Sequence, residues 1–416
     1  MRILKLTPTV EERLLSARRG RDARADRIAS HIVADVRRRG DSALCAWTKR
    51  LDGLDLRQCG MKVPRQELES AGKSASPQFL NAVRHSARNV RSVAEKQLPK
   101  PWTIEVEPGV RISQIVRAIE SIGCYVPGGR FPLLSTLVMT VVPAQVAGVR
   151  RIVVTCPNPS EELLAVAGVL GVTDILRLGG AQAIAALAYG TETIDRVEKI
   201  LGPGNRFVNS AKKIVSGDCA IDLPAGPTEA IVLAERGNAS WIAADLLAQA
   251  EHAPDAASFL VTPSRELALL VRTALDDQLQ RLPSTNPARA SLQKAGAILL
   301  APSLERALRF ISRFAPEHLS LPTGPALLRK IEAAGTVFLG PWSAQPLGDY
   351  ASGSNHVLPT GGWARARGGL SANDFVKCIS VQSITRAGFM RLASDVGILA
   401  RAEGALAHAN AIEVRR

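Results

Sequence analysis

Aromatic residues are scarce in this chain. They make up 4% of its 416 residues, so any hydrophobic core has to rest on Ala, Val, Leu and Ile. Long apolar runs are missing as well. The longest, Leu133 to Val142, is interrupted by Ser135, Thr136 and Thr140 and is too short to cross a bilayer, so no membrane partner is expected. The six cysteines (Cys45, Cys59, Cys124, Cys156, Cys219, Cys378) are far apart and form no CxxC pair. That spacing argues against a disulfide framework and for reduced thiols, as in a cytoplasmic protein. The amino end lacks the apolar core of a signal peptide, and Glu11, Glu12, Asp22 and Asp26 argue against a transit peptide.

What is present is an ordinary globular composition, 46% hydrophobic and 22% charged, in a chain long enough for about two to four domains. The formal net charge is +14, from 52 Lys and Arg against 38 Asp and Glu. Such a balance invites a test for nucleic-acid binding. The excess is spread out, however, and concentrates only in the first fifty residues (Arg18, Arg19, Arg21, Arg24, Arg27, Arg37, Arg38, Arg39). There is no zinc-finger spacing, no aromatic-and-basic RNA-binding motif and no basic low-complexity tail. Nucleic acid is therefore not expected as a partner, and a surface that attracts a small anion is.

Periodicity divides the chain into zones. Residues 10–100 read as helices with polar breaks: Ile28, Ile32, Val33 and Val36 recur at helical spacing, and a second run covers Pro77 to Gln97 until Pro99 and Pro101 stop it. From about residue 120 short β-branched runs alternate with helical stretches. Ile152–Cys156, Asp174–Leu178, Ala230–Leu233, Phe259–Thr262, Ala297–Ala301 and Val337–Leu339 read as strands. Between them Leu163–Leu170, Ala181–Tyr189, Ser240–Glu251, Glu266–Leu282 and Leu304–Phe314 read as helices. This alternation predicts βαβ units and parallel sheets in two blocks, about 124–225 and 226–345. Asn373 to Gly404 reads as helix, and Ala411 to Val414 as a last strand-like piece.

No GxGxxG turn follows a strand. In its place stand Pro127-Gly128-Gly129, Gly179-Gly180 and Gly202-Pro203-Gly204-Asn205, each where a strand meets a helix. Such turns can present backbone N–H groups to a phosphate, although ordinary turn chemistry explains each of them alone. Four of six histidines (His252, His318, His356, His408) lie late in the chain among polar residues, whereas His31 and His85 read as solvated. Gln249 and His252, three apart, share a helical face with Asp245 one turn earlier, which suits two metal ligands or a surface histidine. Glu317 and His318 follow the helix-breaking Pro316, where an imidazole can act as a base or cap a helix end. Asp349 sits in a Gly-bounded loop that ends at His356, suited to binding or to capping a turn. Glu403 and His408, five apart across Gly404, would not share the face of a straight helix.

In combination and in order, these segments resemble histidinol dehydrogenase. The matching stretches include IVADVRRRGDSALCAWTKRLDG, CYVPGGRFPLLSTLVM, LGGAQAIAALAYGTETI, GPGNRFVNSAKK, IDLPAGPTE, ADLLAQAEHAPDA, FAPEHLSL, LGDYASGSNHVLPT, GGLSANDFVK and AEGALAHANAI, and they span residues 32–412.

The resemblance implies an α/β fold of two Rossmann-like parallel-sheet domains with helical N-terminal and C-terminal extensions, forming an intertwined homodimer. Its domains would be an extension at 1–27, a first α/β domain at 28–123 and 226–370, a second at 124–225 for NAD, and a segment at 371–416 crossing to the partner. It further implies NAD- and zinc-dependent four-electron oxidation of L-histidinol to L-histidine through L-histidinaldehyde, the last steps of histidine biosynthesis.

Carried over residue by residue, Gln249, His252, Asp349 and His408 would hold one zinc ion per subunit. Glu317 and His318 would be the acid–base pair, and Tyr125, Gln182 and Asn205 would contact NAD. Thr228, Glu403 and His356 would meet the substrate together with Gln249, His252, His318, Asp349 and His408. Arg130, Phe131, the Leu133-Leu134 pair, Trp363, Arg365 and Arg367 depart from the family pattern, and the first three bear on NAD affinity. A relative oxidising a sulfonated alcohol would want cations where Glu403 and His356 stand. A zinc hydrolase using Glu317 as base would work without NAD.

Overall fold

The computed structural model describes residues 1–18, 22–128, 133–223 and 226–416. Arg130 and Phe131 therefore lie outside the described residues. The strands, in chain order, are β1 (Arg2–Lys5), β2 (Trp102–Glu107), β3 (Val110–Ala118), β4 (Ser121–Tyr125) and β5 (Arg151–Thr155). Next come β6 (Asp174–Leu176), β7 (Lys199–Leu201), β8 (Ala220–Ile221), β9 (Glu229–Leu233) and β10 (Ala257–Thr262). The last four are β11 (Ala297–Leu300), β12 (His318–Leu321), β13 (Thr336–Leu339) and β14 (Val376–Ile384).

Two of the sheets are parallel, as the βαβ alternation predicts. One has the order β6-β5-β4-β7-β8 and the other β1-β11-β10-β9-β12-β13. Their central strands β4 and β9 are buried at every residue, because helices cover both faces. Helix starts follow the local chemistry. Ser160 accepts a hydrogen bond from Leu163 N ahead of Glu161 and Glu162, and Asn238 and Ser264 cap the helices Ala239–Ala250 and Arg265–Arg281 in the same way.

Helices Ala23–Asp52, Arg65–Ser74 and Pro77–Gln97 bury their apolar faces against the β4–β8 sheet, through residues such as Ile32, Val36, Leu44, Leu68 and Val90. They do not join the sheet formed by 226–345. The first residues are not a free extension either: β1 pairs in parallel with β11 as an edge strand, and Leu15 of the helix Pro8–Ala17 joins the core below that sheet. Hydrophobic periodicity finds helices but does not say which sheet they will cover.

Two stretches differ in type. The segment read as helix from Asn373 holds the nine-residue strand β14, whose Val, Ile and Ser alternation pairs antiparallel with β3 from Val376–Ala118 to Ile384–Val110. Helix resumes at Arg386–Ala402. Ala411–Val414, read as strand-like, falls in and just after the helix Leu406–Glu413. The third sheet, β14-β3-β2, leaves Trp102, Ile104, Val106, Ile379, Val381 and Ile384 exposed, and Ile398, Leu399 and Leu406 are exposed on the helices that follow. Among the described residues no helix is long and apolar enough to cross a membrane.

A buried ion pair anchors the Gly202-Pro203-Gly204 turn after β7. Lys212 and Asp222 pair with almost no solvent exposure. Lys212 Nζ donates to Gly202 O at 2.9 Å, and Asp222 Oδ2 accepts from Gly202 N at 2.8 Å. Gly202 has φ +108°, and a Cβ there would collide with the Tyr125 carbonyl oxygen, so only glycine fits. Lys212→Met leaves Asp222 as an uncompensated buried charge and is expected to cost about 3–5 kcal/mol. Urea denaturation checks it: a loss below about 1 kcal/mol would show that the pair carries little of this turn's stability.

Candidate active site

The polar residues singled out on the second parallel sheet collect at the amino ends of β9 and β12, where the strand order reverses between the two. Thr228 and Glu229 stand at the start of β9, and Glu317 and His318 at the start of β12. Gln249 comes from the end of the helix that leaves β9 and returns antiparallel to it. Ligand sites in open α/β sheets usually form at the carboxyl ends, so this arrangement is unusual.

Glu317 is the hub. It is buried, yet its Oε2 accepts two hydrogen bonds, from Thr228 Oγ1 at 2.6 Å and from the backbone N of Glu229 at 2.8 Å. A carboxylate in so dry a place has to be satisfied in this way. Thr228 Oγ1 in turn accepts from Gln249 Nε2, and Gln249 Oε1 accepts from Gln345 Nε2. The Thr228 hydroxyl proton is thus committed to Glu317.

His318 is buried and stacks near Phe338, with ring centroids 5.9 Å apart. Its Nδ1 lies 3.3 Å from Glu229 O and 3.6 Å from Glu317 Oε2. Its Nε2 has no hydrogen-bond partner among the described residues and faces Asp349 Oδ1 at 3.8 Å. Burial acts to lower the pKa of this imidazole, but Glu317 above all, then Asp349 and the Glu229 carbonyl, outweigh it and raise it above the ordinary histidine value.

Asp349 joins this cluster from the short helix Gln345–Tyr350, not from the loop that the glycines suggested. Its Oδ2 lies 4.0 Å from His252 Nε2, and its backbone oxygen meets His356 Nδ1 at 2.9 Å. Three imidazoles therefore surround one aspartate. His356 is held low by burial, only partly offset by Asp349, and its Nε2 lies 3.4 Å from Thr136 Oγ1. His252 follows the helix end in a turn whose backbone N bonds to Gln249 O at 3.3 Å, so the expected shared face continues just past the helix itself. Asp245, one turn earlier, is largely buried, which pushes its carboxyl up to about 6.

The second group of expected residues gathers at the carboxyl ends of the β4–β8 sheet, again where strand order reverses, between β4 and β7. Tyr125 ends β4, and its hydroxyl accepts from Gly180 N at 3.1 Å at the start of the helix Gly180–Tyr189. Burial pushes that phenol up to about 12. Gln182, fully buried on the first turn, donates to Asp52 Oδ2 at 2.9 Å, while its Oε1 has no partner among the described residues. Asn205 caps the helix Arg206–Val215, accepting from Phe207 N and Val208 N at 2.9 and 3.1 Å.

Glu403 and His408 are not brought to this cluster within the chain. Both are exposed, Glu403 at the end of the helix Arg386–Ala402 and His408 in the helix Leu406–Glu413, with Gly404 at φ +73° between them. Among the described residues no group of three or more His, Cys, Asp or Glu is arranged to hold a metal ion. The arginines at 365 and 367 are tied down: Arg365 Nη1 donates to Arg313 O at 2.6 Å and Arg367 Nη2 to Asp374 Oδ1 at 2.9 Å. Trp363 is exposed. Sequence reasoning gave no role to Gln345, Glu229 or Asp52. Glu229 and Asp52 fall within stretches quoted above, but only the tertiary contacts single them out.

Comparison with known proteins shows the family. The family model described as histidinol dehydrogenase matches residues 16–416. The chain is 45% identical over 393 residues to histidinol dehydrogenase of Methanothermobacter thermautotrophicus, covering 92% of each chain. It is 41% identical over 396 residues to that of Salmonella typhimurium, covering 94% of this chain and 91% of the other. The crystal structure of histidinol dehydrogenase from Elizabethkingia anophelis superposes with a TM-score of 0.93 at 35% identity, covering 100% of this chain and 98% of that one. With a family match over nearly its whole length and that agreement in fold, the chain belongs to the histidinol dehydrogenase family.

Proposed function

We propose that the cluster at the amino ends of β9 and β12 is where this chain carries out the reaction of its family, the NAD-dependent oxidation of histidinol to histidine. The observation that carries the reading is the buried pair Glu317–His318, with His318 Nε2 unpartnered among the described residues and Glu317 held by two donors on its Oε2. The donors on Oε2 leave Glu317 Oε1 to take a proton from water. The carbonyl of Glu229 favours a proton on His318 Nδ1, which leaves Nε2 as the basic atom. In this reading His318 Nε2 removes the proton of the substrate hydroxyl as hydride departs. Glu317 Oε1 then draws a proton from the water that adds to the aldehyde. His318 serves again as base in the second oxidation. Bound NAD supplies the hydride acceptor in each round.

A zinc ion fits the remaining groups. His252 Nε2 and Asp349 Oδ2, 4.0 Å apart, are too far from each other for a hydrogen bond, so neither satisfies the other. With the amide oxygen of Gln249 and an imidazole from His408 they make an N/O donor set of the kind zinc accepts. When bound, the ion would supply a Lewis-acidic anchor for the substrate's imidazole and amine. His356 and Thr228 line the same cluster, Thr228 chiefly by fixing Glu317. Tyr125, Gln182 and Asn205 would receive NAD, since the N-terminus of the helix Gly180–Tyr189 and the unpartnered Gln182 Oε1 offer partners for its polar groups.

The homodimer is part of the same proposal. Exposed apolar residues on β2, β14 and the C-terminal helices give a second copy a surface to cover. His408 and Glu403, exposed in one chain, would then complete the zinc and substrate contacts of the other. Assignment to the cytoplasm rests on the free cysteines.

The zinc-loaded enzyme given limiting L-histidinol and excess NAD should release two NADH per substrate; one would reduce the activity to simple alcohol oxidation. His318→Asn should lower kcat by about a hundredfold or more while zinc content by atomic absorption stays at wild type. Full turnover in that variant refutes the base assignment. His408→Asn should lose zinc on dialysis. Heterodimers with Gln249→Ala should regain part of the activity, because one of their two sites is intact, and no regain in isolated heterodimers excludes the crossover.

A further inference from the structure

Arg18 belongs to the basic N-terminal cluster and has no place in the mechanism above, yet its side chain reaches into the site's foundations. It ends the helix Pro8–Ala17 and meets Glu229, 211 positions later, with side-chain exposures of only 10% and 4%. The contact is a fork: Nε donates to Glu229 Oε1 and Nη2 to Oε2, each at 2.5 Å. The remaining arm, Nη1, donates to the carbonyl of Phe314, and the guanidinium lies 3.6 Å over the Phe314 ring.

Both anchored points are one step from the acid–base pair. Glu229 holds Glu317 through its backbone N–H at 2.8 Å and faces His318 Nδ1 with its carbonyl at 3.3 Å. Phe314 is the last residue of its helix, and the chain then passes through Ala315 and Pro316 into Glu317. Ala315, at φ +50°, is the one non-glycine residue with positive φ among the described residues. Strain of this kind persists only where surrounding contacts hold it.

We infer that Arg18 is a positioning residue for the oxidation: it clamps the amino end of β9 to the end of the helix Leu304–Phe314, and so sets where the Glu317 carboxylate and the His318 ring stand. This rests on the assignment of Glu317 and His318 as the acid–base pair. A buried ion pair alone is weak evidence for stability. What this one supplies is direction, since three arms of one planar group fix two separate strands of chain. Lysine would keep the charge and lose the fork.

The experiment compares Arg18→Lys, Arg18→Ala, Glu317→Gln and His318→Asn in the zinc-loaded enzyme. Arg18→Lys should lower kcat by about ten- to a hundredfold, with KM for histidinol and NAD within about threefold of wild type and zinc content unchanged. Arg18→Ala should lose more and recover part of its kcat in millimolar methylguanidinium, which does nothing for Glu317→Gln. Turnover of Arg18→Lys within about twofold of wild type overturns the proposal, as does a loss carried by KM alone. If Arg18→Ala does not fold, Arg18→Lys decides the matter, its thermal midpoint showing that the protein assayed is native. Full activity in both Glu317→Gln and His318→Asn would instead refute the acid–base reading beneath it.

Discussion

The hydrogen bond from the backbone N of Glu229 to Glu317 Oε2 is the contact on which the site's geometry depends. It exists because β9 and β12 run parallel with His318 opposite Ala230, so Glu317, just before β12, lies beside Glu229, the first residue of β9. A carboxylate at that junction is largely shielded from solvent and is tolerable only with donors in place. Thr228 supplies one and Glu229 the other. Through Thr228 the contact extends to Gln249 and Gln345, so two strands and two helices share one network. A network satisfied at each link is stiff, and stiffness is what proton transfer at fixed atoms requires.

The two parallel sheets use opposite ends. The β4–β8 sheet gathers Tyr125, Gln182 and Asn205 at its carboxyl ends, at the reversal of strand order, where helix N-termini and glycine turns converge. The larger sheet gathers its titratable groups at the amino ends, where a returning helix delivers Gln249 and the kinked entry to β12 delivers Glu317 and His318. Helix N-termini at the carboxyl ends of the β4–β8 sheet favour negative charge. The amino ends lack that field. They supply carboxylates and imidazoles in its place.

Part of the positive charge of the chain is used within its own structure. Arg306 and Arg313 hold the buried Glu11, Lys212 holds Asp222, and Arg18 holds Glu229. Arg367 and Lys199 share Asp374. Several of these pairs join segments far apart in the chain, so these cations act at junctions between elements.

Local pattern determined a great deal on its own. The parallel strands β5, β6, β9, β10, β11 and β13 and the helices between them follow from apolar periodicity and from caps such as Ser160 and Asn238, because those signals act over a few residues; the short strands β7, β8 and β12 did not stand out in that pattern. The family was legible in motifs whose order is hard to reach by chance. Tertiary structure alone decided which sheet the helices of residues 23–97 cover, that β1 is an edge strand, and that Val376–Ile384 leaves the helical zone to pair with β3. It also decided that Thr228 serves Glu317, that Gln345 serves Gln249, and that Arg18 reaches Glu229. The reason is physical: periodicity and capping are properties of neighbours in the chain, whereas a buried charge finds its partner across the fold, and that pairing leaves no mark on either neighbourhood until the chain is packed.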